Sequence, residues 1–340
     1  MNYIVLDLEW NQAAYKIDEE DQLPFEIIEI GAVKLDENAE KIDDYSVLIR
    51  PQVYPFLVRK TREITHLSDE DLDNNGVYFE EACPQFLEWC GKDYIFCIWG
   101  TSDLIQLQRN MAYYHLKMPW KYPLKYLDVQ KLYALEKGEN KTRKTLEHVI
   151  DLYGIEKDLP FHRAVDDAEY TARVFRLLDR EHFESYFSID YYRLPRNRFE
   201  EKTYAFNTYL KFVSREYPMK EDLMKSRKVR ELPCFYCRRL TKRTVNWFSD
   251  SQKSYFALGE CREHGLIRAR IRIKTAEDNK GVFGVRTVKP CTEEDKAVIL
   301  NKRDNLKNKR KERRKRVSVK EKAETEKKTE KKTEKRQKKG

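Results

Sequence analysis

The sequence predicts an α/β protein in which helices flank a mixed sheet, followed by a small metal-stapled module and a disordered basic tail. Three strand patterns open the chain, and strand and helix patterns alternate after them to about residue 180. At 340 residues the chain exceeds the usual size of one hydrophobic core. A single domain is therefore excluded, and two modules with a tail are expected.

The elements of the first module follow from periodicity. Short apolar, β-branched or alternating segments predict strands, and these lie at residues 3–10, 26–37, 41–51 and 93–100. Apolar residues at three- and four-residue steps predict helices at residues 79–91, 103–116, 127–138, 142–154 and 163–182. Gly154 is expected to end its helix as a left-handed cap.

Residues 184–230 mix aromatic side chains with Arg and Lys. Such a segment could stack bases and neutralise phosphates. A connecting helix that buries its Tyr and Phe residues is favoured, because aromatic side chains tend toward burial. The predicted domains are therefore 1–183, a helical linker at 184–230, a module at 231–290 and a tail at 291–340.

The net charge of +9 is unevenly distributed. Residues 301–340 hold 20 of the 67 Lys and Arg and 7 of the 58 Asp and Glu, so they carry +13 and residues 1–300 carry −4. The segments RKERRKR and TEKKTEKKTEKR have almost nothing apolar to bury, so the tail should be disordered or transiently helical in isolation. This tail fits a solubilising segment and a nucleic-acid tether equally well.

Membrane and export signals are missing from the sequence pattern. No apolar run approaches the roughly 18 residues of a membrane span. The start MNYIVLDLEW has neither a basic region nor a small-residue cleavage site. We therefore expect a cytoplasmic location, reduced thiols and no membrane partner.

Five residues place charge where a folded core would not require it: Asp7, Glu9, Asp103, His162 and Asp167. In D-x-E on a strand, both carboxylates project from one face about 7 Å apart, and a cation between them would relieve their repulsion. A lone D-x-E is more often structural, and Asp103 could simply charge the first turn of its helix.

The segment FHRAVDDAEY strengthens the case for a metal site. His162 precedes a helix that carries Asp167 about one turn further on. The histidine could act on a water acidified by a metal that the carboxylate holds. Asp166 is the competing ligand, but it is rotated by about 100° from Asp167 around the helix, so we assign Asp167.

These motifs resemble the DEDDh 3′-to-5′ exonucleases, whose catalytic domain has an RNase H-like fold. The resemblance covers about residues 1–180 and includes H-x-A-x-x-D-A at His162. The tyrosine-type sibling would need Tyr where Arg163 stands. The segments PFEIIEIGAVKLDE and ITHLSDEDL look most like the branch that trims RNA 3′ ends, such as histone-mRNA and small-RNA exonucleases.

The resemblance implies two Mg²⁺ or Mn²⁺ ions on Asp7, Glu9, Asp103 and Asp167, with His162 as general base and 5′-nucleoside monophosphates as product. His162 must be neutral to accept a proton, so activity should fall in acid. Two positions depart from the family: Trp10 stands where a small residue is common, and His66 where many have Gly. Trp10 could stack on a base, but burial is favoured, and His66 is expected in a surface loop.

The cysteine spacing predicts a structural zinc ion. Cys234-x-x-Cys237 and Cys261-x-x-His264 form two knuckles, and Cys₃His is a common tetrahedral zinc set that leaves no open position for catalysis. The spacing resembles zinc ribbons, which often bind nucleic acid or protein. The remaining cysteines of the first module are expected to be buried small hydrophobes.

The leading hypothesis is a metal-dependent 3′-to-5′ exonuclease that acts on single-stranded ends, with RNA favoured over DNA. The same residues would serve a DNA proofreading or repair exonuclease, because sugar discrimination depends on contacts to the 2′-hydroxyl. A third hypothesis is a silent scaffold that binds nucleic acid through the zinc module. All five catalytic positions are filled, which counts against the scaffold.

Overall fold

A computed structural model describes residues 1–138, 143–179, 186–251, 253–276 and 280–312. The chain divides into two compact units, Met1–Leu194 and Pro195–Gly340. Most of the predicted disordered tail, residues 313–340, lies outside the described residues. Within the described part, no helix combines the length and apolarity that a membrane crossing requires.

The first unit is built on a six-stranded mixed sheet in the order β3-β2-β1-β4-β5-β6. The strands are β1 (Asn2–Asn11), β2 (Glu26–Leu35), β3 (Lys41–Leu48), β4 (Tyr94–Ile98), β5 (Lys125–Asp128) and β6 (Ser188–Ile189). β1 pairs antiparallel with β2 and parallel with β4. The α/β class with a mixed sheet is confirmed.

Seven α-helices surround this sheet in the described part of the unit: α1 (Arg59–Thr65), α2 (Asp69–Asn75), α3 (Phe79–Cys90), α4 (Asp103–Tyr113), α5 (Val129–Glu136), α6 (Leu146–Tyr153) and α7 (Ala164–Leu177). A 3₁₀ turn at Lys16–Asp18 precedes β2. Gly154 ends α6 with φ 63°, so the predicted left-handed cap is confirmed. The helices α1 and α2 were not predicted, because each is short and its pattern holds few apolar residues.

The predicted helix at 127–138 begins too early. Lys125–Asp128 forms β5, because this segment pairs parallel with β4 through Phe96↔Tyr126 and Cys97↔Leu127. The Asp128 side chain then accepts a hydrogen bond from Lys131 N at 2.9 Å and caps α5. The tertiary pairing therefore overrides the local helical pattern.

Apolar residues bury β1 on both faces. Ile4, Leu6 and Leu8 pack in a cluster with α3 and α4. Val5 belongs to a second cluster, which includes Tyr170 and other buried residues of α7. Side chains alternate along a strand, so Asp7 and Glu9 share the α7 face with Val5.

The second unit contains a six-stranded antiparallel sheet in the order β7-β8-β12-β11-β10-β9. Its strands are β7 (Thr203–Ala205), β8 (Leu210–Val213), β9 (Lys242–Ser251), β10 (Ser254–Cys261), β11 (Gly265–Thr275) and β12 (Val282–Pro290). In the part of this unit that the structure describes, two α-helices accompany the strands: α8 (Lys220–Lys225) and α9, which covers 293–312.

The predicted helical linker at 184–230 is wrong in its secondary structure. Within it, β7 and β8 extend the second sheet, because Leu210 and Phe212 alternate onto the buried face while β8 pairs with β12. The first unit also runs past residue 183, since β6 pairs with β5. The tail prediction is likewise wrong for 293–312, where Ile299 anchors α9 against Val245 and Leu258.

Candidate active site and metal centre

The first strand presents two carboxylates to the helix α7. In the pairing of β1 with β2, Asp7 lies opposite Gly31 and Glu9 lies opposite Glu29. The register shifts directly after Glu9, which marks a β-bulge at the end of this pair. Both carboxylates are half-buried, so the strand holds them at the edge of the core.

Asp103 reaches the same place from the neighbouring parallel strand. It is the first residue of α4, which follows the end of β4 after a short turn, and only 6% of it is exposed. The backbone of Leu8, which lies between Asp7 and Glu9, lowers the pKa of the Asp103 carboxylate against the effect of burial. The ends of β1 and β4 therefore bring three acidic residues together.

The start of α7 supplies the last two predicted residues. His162 has φ 66°, a conformation that is uncommon outside glycine, and its backbone N–H donates to Asp167 Oδ2 at 3.2 Å. Gly31 permits this approach: a Cβ at Gly31 would lie 2.0 Å from the backbone of Ala164 and Val165. Glycine opposite Asp7 is thus what lets α7 rest on the sheet.

Glu9, His162 and Asp167 offer ligand atoms that all lie within 4.8 Å of one another. Asp7 and Asp103 do not join that set, but the charges of Glu9 and Asp167 raise the pKa of Asp7, and the charge of Asp103 raises that of Glu9. Asp167 Oδ1 is buried without a hydrogen-bond partner, which is costly unless a cation satisfies it. The donor set is rich in carboxylate oxygen, as hard divalent ions require.

The electrostatics of the site favour a cation. Burial, reinforced by the charges of Asp103, Asp167, Glu9 and Glu29, raises the pKa of Asp7 well above its usual range. Burial and neighbouring carboxylates raise the pKa of Glu9 to about 8, although Arg163 opposes the shift. Burial raises the pKa of Asp103 to about 7 and that of Asp167 to about 6. These carboxylates would ionise together readily only with a positive charge among them.

The sequence interpretation missed an ion pair that adjoins the site. Glu29 is 0% exposed on β2 and forms a two-point contact with Arg163, Nε to Oε2 at 3.1 Å and Nη2 to Oε1 at 2.8 Å. Its Oε2 also accepts from Ala164 N at 3.3 Å. The pair fixes the residue between His162 and α7. The signal was present, because Glu29 interrupts the apolar run EIIEIGAV as Asp7 interrupts IVLDLEW.

Trp10 and His66, the two departures from the resembled family, each have a structural environment. Trp10 is partly buried and packs 6.0 Å from Phe25, ring centroid to ring centroid. His66 is exposed and caps α1 with φ 59°. Both placements match the structural alternatives that the sequence favoured.

The second unit brings the four predicted soft ligands into one cluster. His264 Nδ1 lies 3.6 Å from Cys234 Sγ and 3.6 Å from Cys261 Sγ, and the Sγ atoms of Cys237 and Cys261 are 3.7 Å apart. A tetrahedral zinc with bonds of about 2.3 Å to sulfur and about 2.0 Å to nitrogen requires S–N and S–S separations of about 3.5 and 3.8 Å. The cluster therefore has the dimensions of a zinc site.

Local backbone geometry forms both knuckles. Arg238 (φ 64°) follows Cys237, and Gly265 (φ 71°) follows His264, so each ligand pair ends on a left-handed turn. Hydrogen bonds from the backbone amide of Glu263 and from His264 lower the pKa of the Cys261 thiol to about 6. A thiolate, the form that binds zinc, is thereby favoured at neutral pH.

The other predicted cysteines have the environment of core residues. Cys83 and Cys90 lie on α3 and Cys97 on β4, all at most 2% exposed. Burial raises the pKa of the Cys83 thiol to about 12, which makes it unreactive. Among the described residues, these three cysteines, although seven residues apart, belong to no group that could hold a metal ion.

Comparison with known proteins places the first unit among nucleases. The family RNase_T, described as "Exonuclease", matches residues 4–175. A PolC-type DNA polymerase III of Thermotoga maritima is 34% identical over 176 residues, which are 51% of this chain and 11% of that polymerase. The probable 3′-5′ exonuclease KapD of Bacillus subtilis is 25% identical over 179 residues, 52% of this chain and 84% of that protein.

One solved structure has similar extent. The nuclease domain of 3′hExo, a DEDDh family member bound to rAMP, is 19% identical to this chain and superposes with a TM-score of 0.48. The matched region is 55% of this chain and 96% of the 3′hExo chain. The chain thus spans about a tenth of its polymerase relative and most of the two smaller proteins.

Proposed function

Starting from the premise that this chain belongs to the exonuclease family over residues 4–175, we propose that it is a 3′-to-5′ exonuclease that removes single nucleotides from single-stranded ends. One observation carries the proposal: Glu9, His162 and Asp167 converge within 4.8 Å where an oxygen of Asp167 is buried without a partner. A histidine beside unsatisfied carboxylate oxygen is suited to metal-assisted hydrolysis.

Asp7, Glu9, Asp103 and Asp167 would hold two Mg²⁺ or Mn²⁺ ions. When bound, these ions would lower the pKa of the attacking water and neutralise charge on the phosphate. His162 accepts the proton of that water as its oxygen bonds to phosphorus. The bond from phosphorus to the 3′ oxygen breaks, that oxygen takes a proton from solvent, and a 5′-monophosphate leaves.

The chain's own residues orient this reaction. The Glu29–Arg163 pair fixes the backbone at the residue after His162 and leaves the buried Glu29 carboxylate neutralised, so it does not compete for a cation. The Asp167 carboxylate in turn accepts from His162 N. These contacts hold the backbone at His162 in place before substrate arrives, and a positioned base gains its rate advantage in this way.

The Cys₃His cluster would bind one structural zinc ion. The ligand separations support this role, because they match those of a tetrahedral site to about 0.1 Å. Four protein ligands leave no position for a reacting water. This zinc would stabilise the second unit and take no part in hydrolysis.

RNA is the proposed substrate, on the basis of the segments PFEIIEIGAVKLDE and ITHLSDEDL. DNA is the second candidate, favoured by the likeness to a PolC-type DNA polymerase. The two differ in the 2′-hydroxyl, so matched oligonucleotides separate them.

The test uses RNA and DNA 20-mers of one sequence, labelled at the 5′ end, with Mn²⁺ or EDTA. We expect a ladder that shortens from the 3′ end, faster for RNA, only with metal and only when Asp7 is intact. Asp7→Ala serves as the inactive variant. Binding without shortening would instead favour the scaffold alternative, and faster loss of DNA would favour the proofreading alternative.

A further inference from the structure

A cavity of about 370 Å³ lies in the second unit between β9 and α9. We call it the β9–α9 cleft. Its volume is within the range of small-ligand sites. The side chains that matter here are Thr244, Asn246 and Phe248 of β9 and Arg303, Lys307 and Arg310 of α9.

The α9 wall of the cleft is cationic. Positions 303, 307 and 310 recur at helical spacing, so their side chains share one face over about 10 Å. On this wall the Asp304 carboxylate lies 2.9 Å from Arg303 Nε and 3.9 Å from Lys307 Nζ. Three cations beside one carboxylate leave a positive excess that fits a polyanion.

The β9 wall adds groups that recognise bases. Among the strands that the structure describes, β9 is the last of its sheet, and none of them pairs with its outer backbone edge. Asn246 and Thr244 are exposed and can hydrogen-bond, and the ring of Phe248 offers a surface on which a base can stack. Stacking rings beside cations are the usual means of binding single strands without sequence preference.

The net charges of the two units also indicate that the second unit binds nucleic acid. Residues 1–194 contain 23 Lys and Arg against 37 Asp and Glu, a net −14. Residues 195–300 contain 24 against 14, a net +10, before the basic tail is counted. A catalytic unit this acidic repels a polyanion, so affinity must come from the basic unit.

We propose that the β9–α9 cleft binds a single strand of nucleic acid and thereby holds the substrate that the first unit shortens. The inference rests on the proposed function for the substrate's fate, but binding itself does not depend on hydrolysis. Phosphates would contact Arg303, Lys307 and Arg310, and a base would stack on Phe248.

The test measures binding of fluorescein-labelled U20 and dT20 to the full chain in EDTA, by anisotropy over a range of salt. The variant Arg303→Gln/Arg310→Gln removes two phosphate contacts. The control Lys220→Gln/Lys225→Gln removes equal charge from α8 of the same unit. Each lost contact should lower the salt slope by about 0.7, so the slope falls by about 1.4 and binding weakens about 25-fold at 0.1 M salt.

A second variant tests stacking. Phe248→Leu keeps an apolar side chain near Phe256 but removes the ring, and we expect affinity to fall at least about fivefold with little change of salt slope. Phe248 also packs against the cluster of Val245, Leu258 and Ile299, so Phe248→Leu should melt below the wild type, and binding is therefore measured at a temperature at which every variant is folded.

The outcomes separate the two proposals. Weakened binding in the cleft variants, with the α8 control binding as tightly as the wild type, supports the inference. Cleft variants that bind as tightly as the control overturn it, whatever the hydrolytic activity. Wild type that binds in a cleft-dependent way but never shortens the strand supports the cleft and contradicts only the exonuclease proposal.

Discussion

Gly31 is a position where one added methyl group should lower the catalytic rate although it replaces none of the candidate catalytic side chains. In Gly31→Ala, the new Cβ would lie 2.0 Å from backbone atoms of Ala164 and Val165. Ordinary contact begins at 3.4 Å, so the start of α7 must move away by roughly 1.4 Å. His162 and Asp167 lie on either side of these atoms and would move with them.

The expected magnitude follows from that displacement. A shift of about 1 Å in a reacting group can cost about 100-fold in rate, so kcat should fall by at least that factor. Overpacking of this kind costs about 1–3 kcal/mol of stability. At about 2–4 °C per kcal/mol for a unit of this size, the protein should remain folded at 25 °C.

The assay compares initial rates on a 5′-labelled oligonucleotide with melting temperatures. Gly154→Ala is the matched control: its φ of +63° makes alanine unfavourable by about 1–2 kcal/mol, but no atom lies within 4 Å of the new Cβ. It should lose stability and keep its rate. Gly31→Ala with a rate within twofold of wild type would refute the reasoning.

Three further predictions follow from the charges and ligands. The pKa values of Glu9, Asp103 and Asp167 are raised to about 8, 7 and 6, so above pH 4 the folded protein binds more protons than the unfolded chain. Its melting temperature in EDTA should therefore fall from pH 5 to pH 8. Mn²⁺ should raise the melting temperature most at pH 8, where these carboxylates are ionised. Equal Mn²⁺ effects at pH 5 and pH 8 would contradict this. Arg163→Met should destabilise by on the order of 3 kcal/mol by leaving Glu29 buried and unpaired, and Glu29→Gln in the same chain should recover part of it; additive losses would exclude the pairing. Cys261→Ser should lower the zinc content below one ion per chain, measured by elemental analysis, and should lower the melting temperature of the second unit, measured by calorimetry. A wild-type protein that keeps the same melting temperature after its zinc is removed would contradict the zinc proposal.

The site residues that the sequence predicts are those that stand out within a short segment of the chain. Asp7 and Glu9 stand out because charge interrupts an apolar strand, and Cys234 and Cys237 because knuckle spacing is itself the geometry of the ligands. Glu29 gives the first of these signals as well, but the pattern of its segment predicts only a strand and no partner for the charge.

The features that the sequence did not predict depend on long-range packing. Gly31 is one glycine in an apolar strand, and only the approach of α7 shows why a side chain is excluded there. Aromatic and basic residues around β7 and β8 suggested a helix, but pairing with β12 made them strands. The β9–α9 cleft exists because α9 packs beside an edge strand far from it in sequence.

The central claim is that Asp167, and not its neighbour, completes a metal site for hydrolysis. The decisive measurement is the Mn²⁺-dependent single-turnover rate of Asp167→Asn against Asp166→Asn, which make the same chemical change one residue apart. The account predicts a loss of at least about 100-fold for Asp167→Asn and a rate within a few-fold of wild type for Asp166→Asn. Equal losses, or an active Asp167→Asn enzyme, would contradict it.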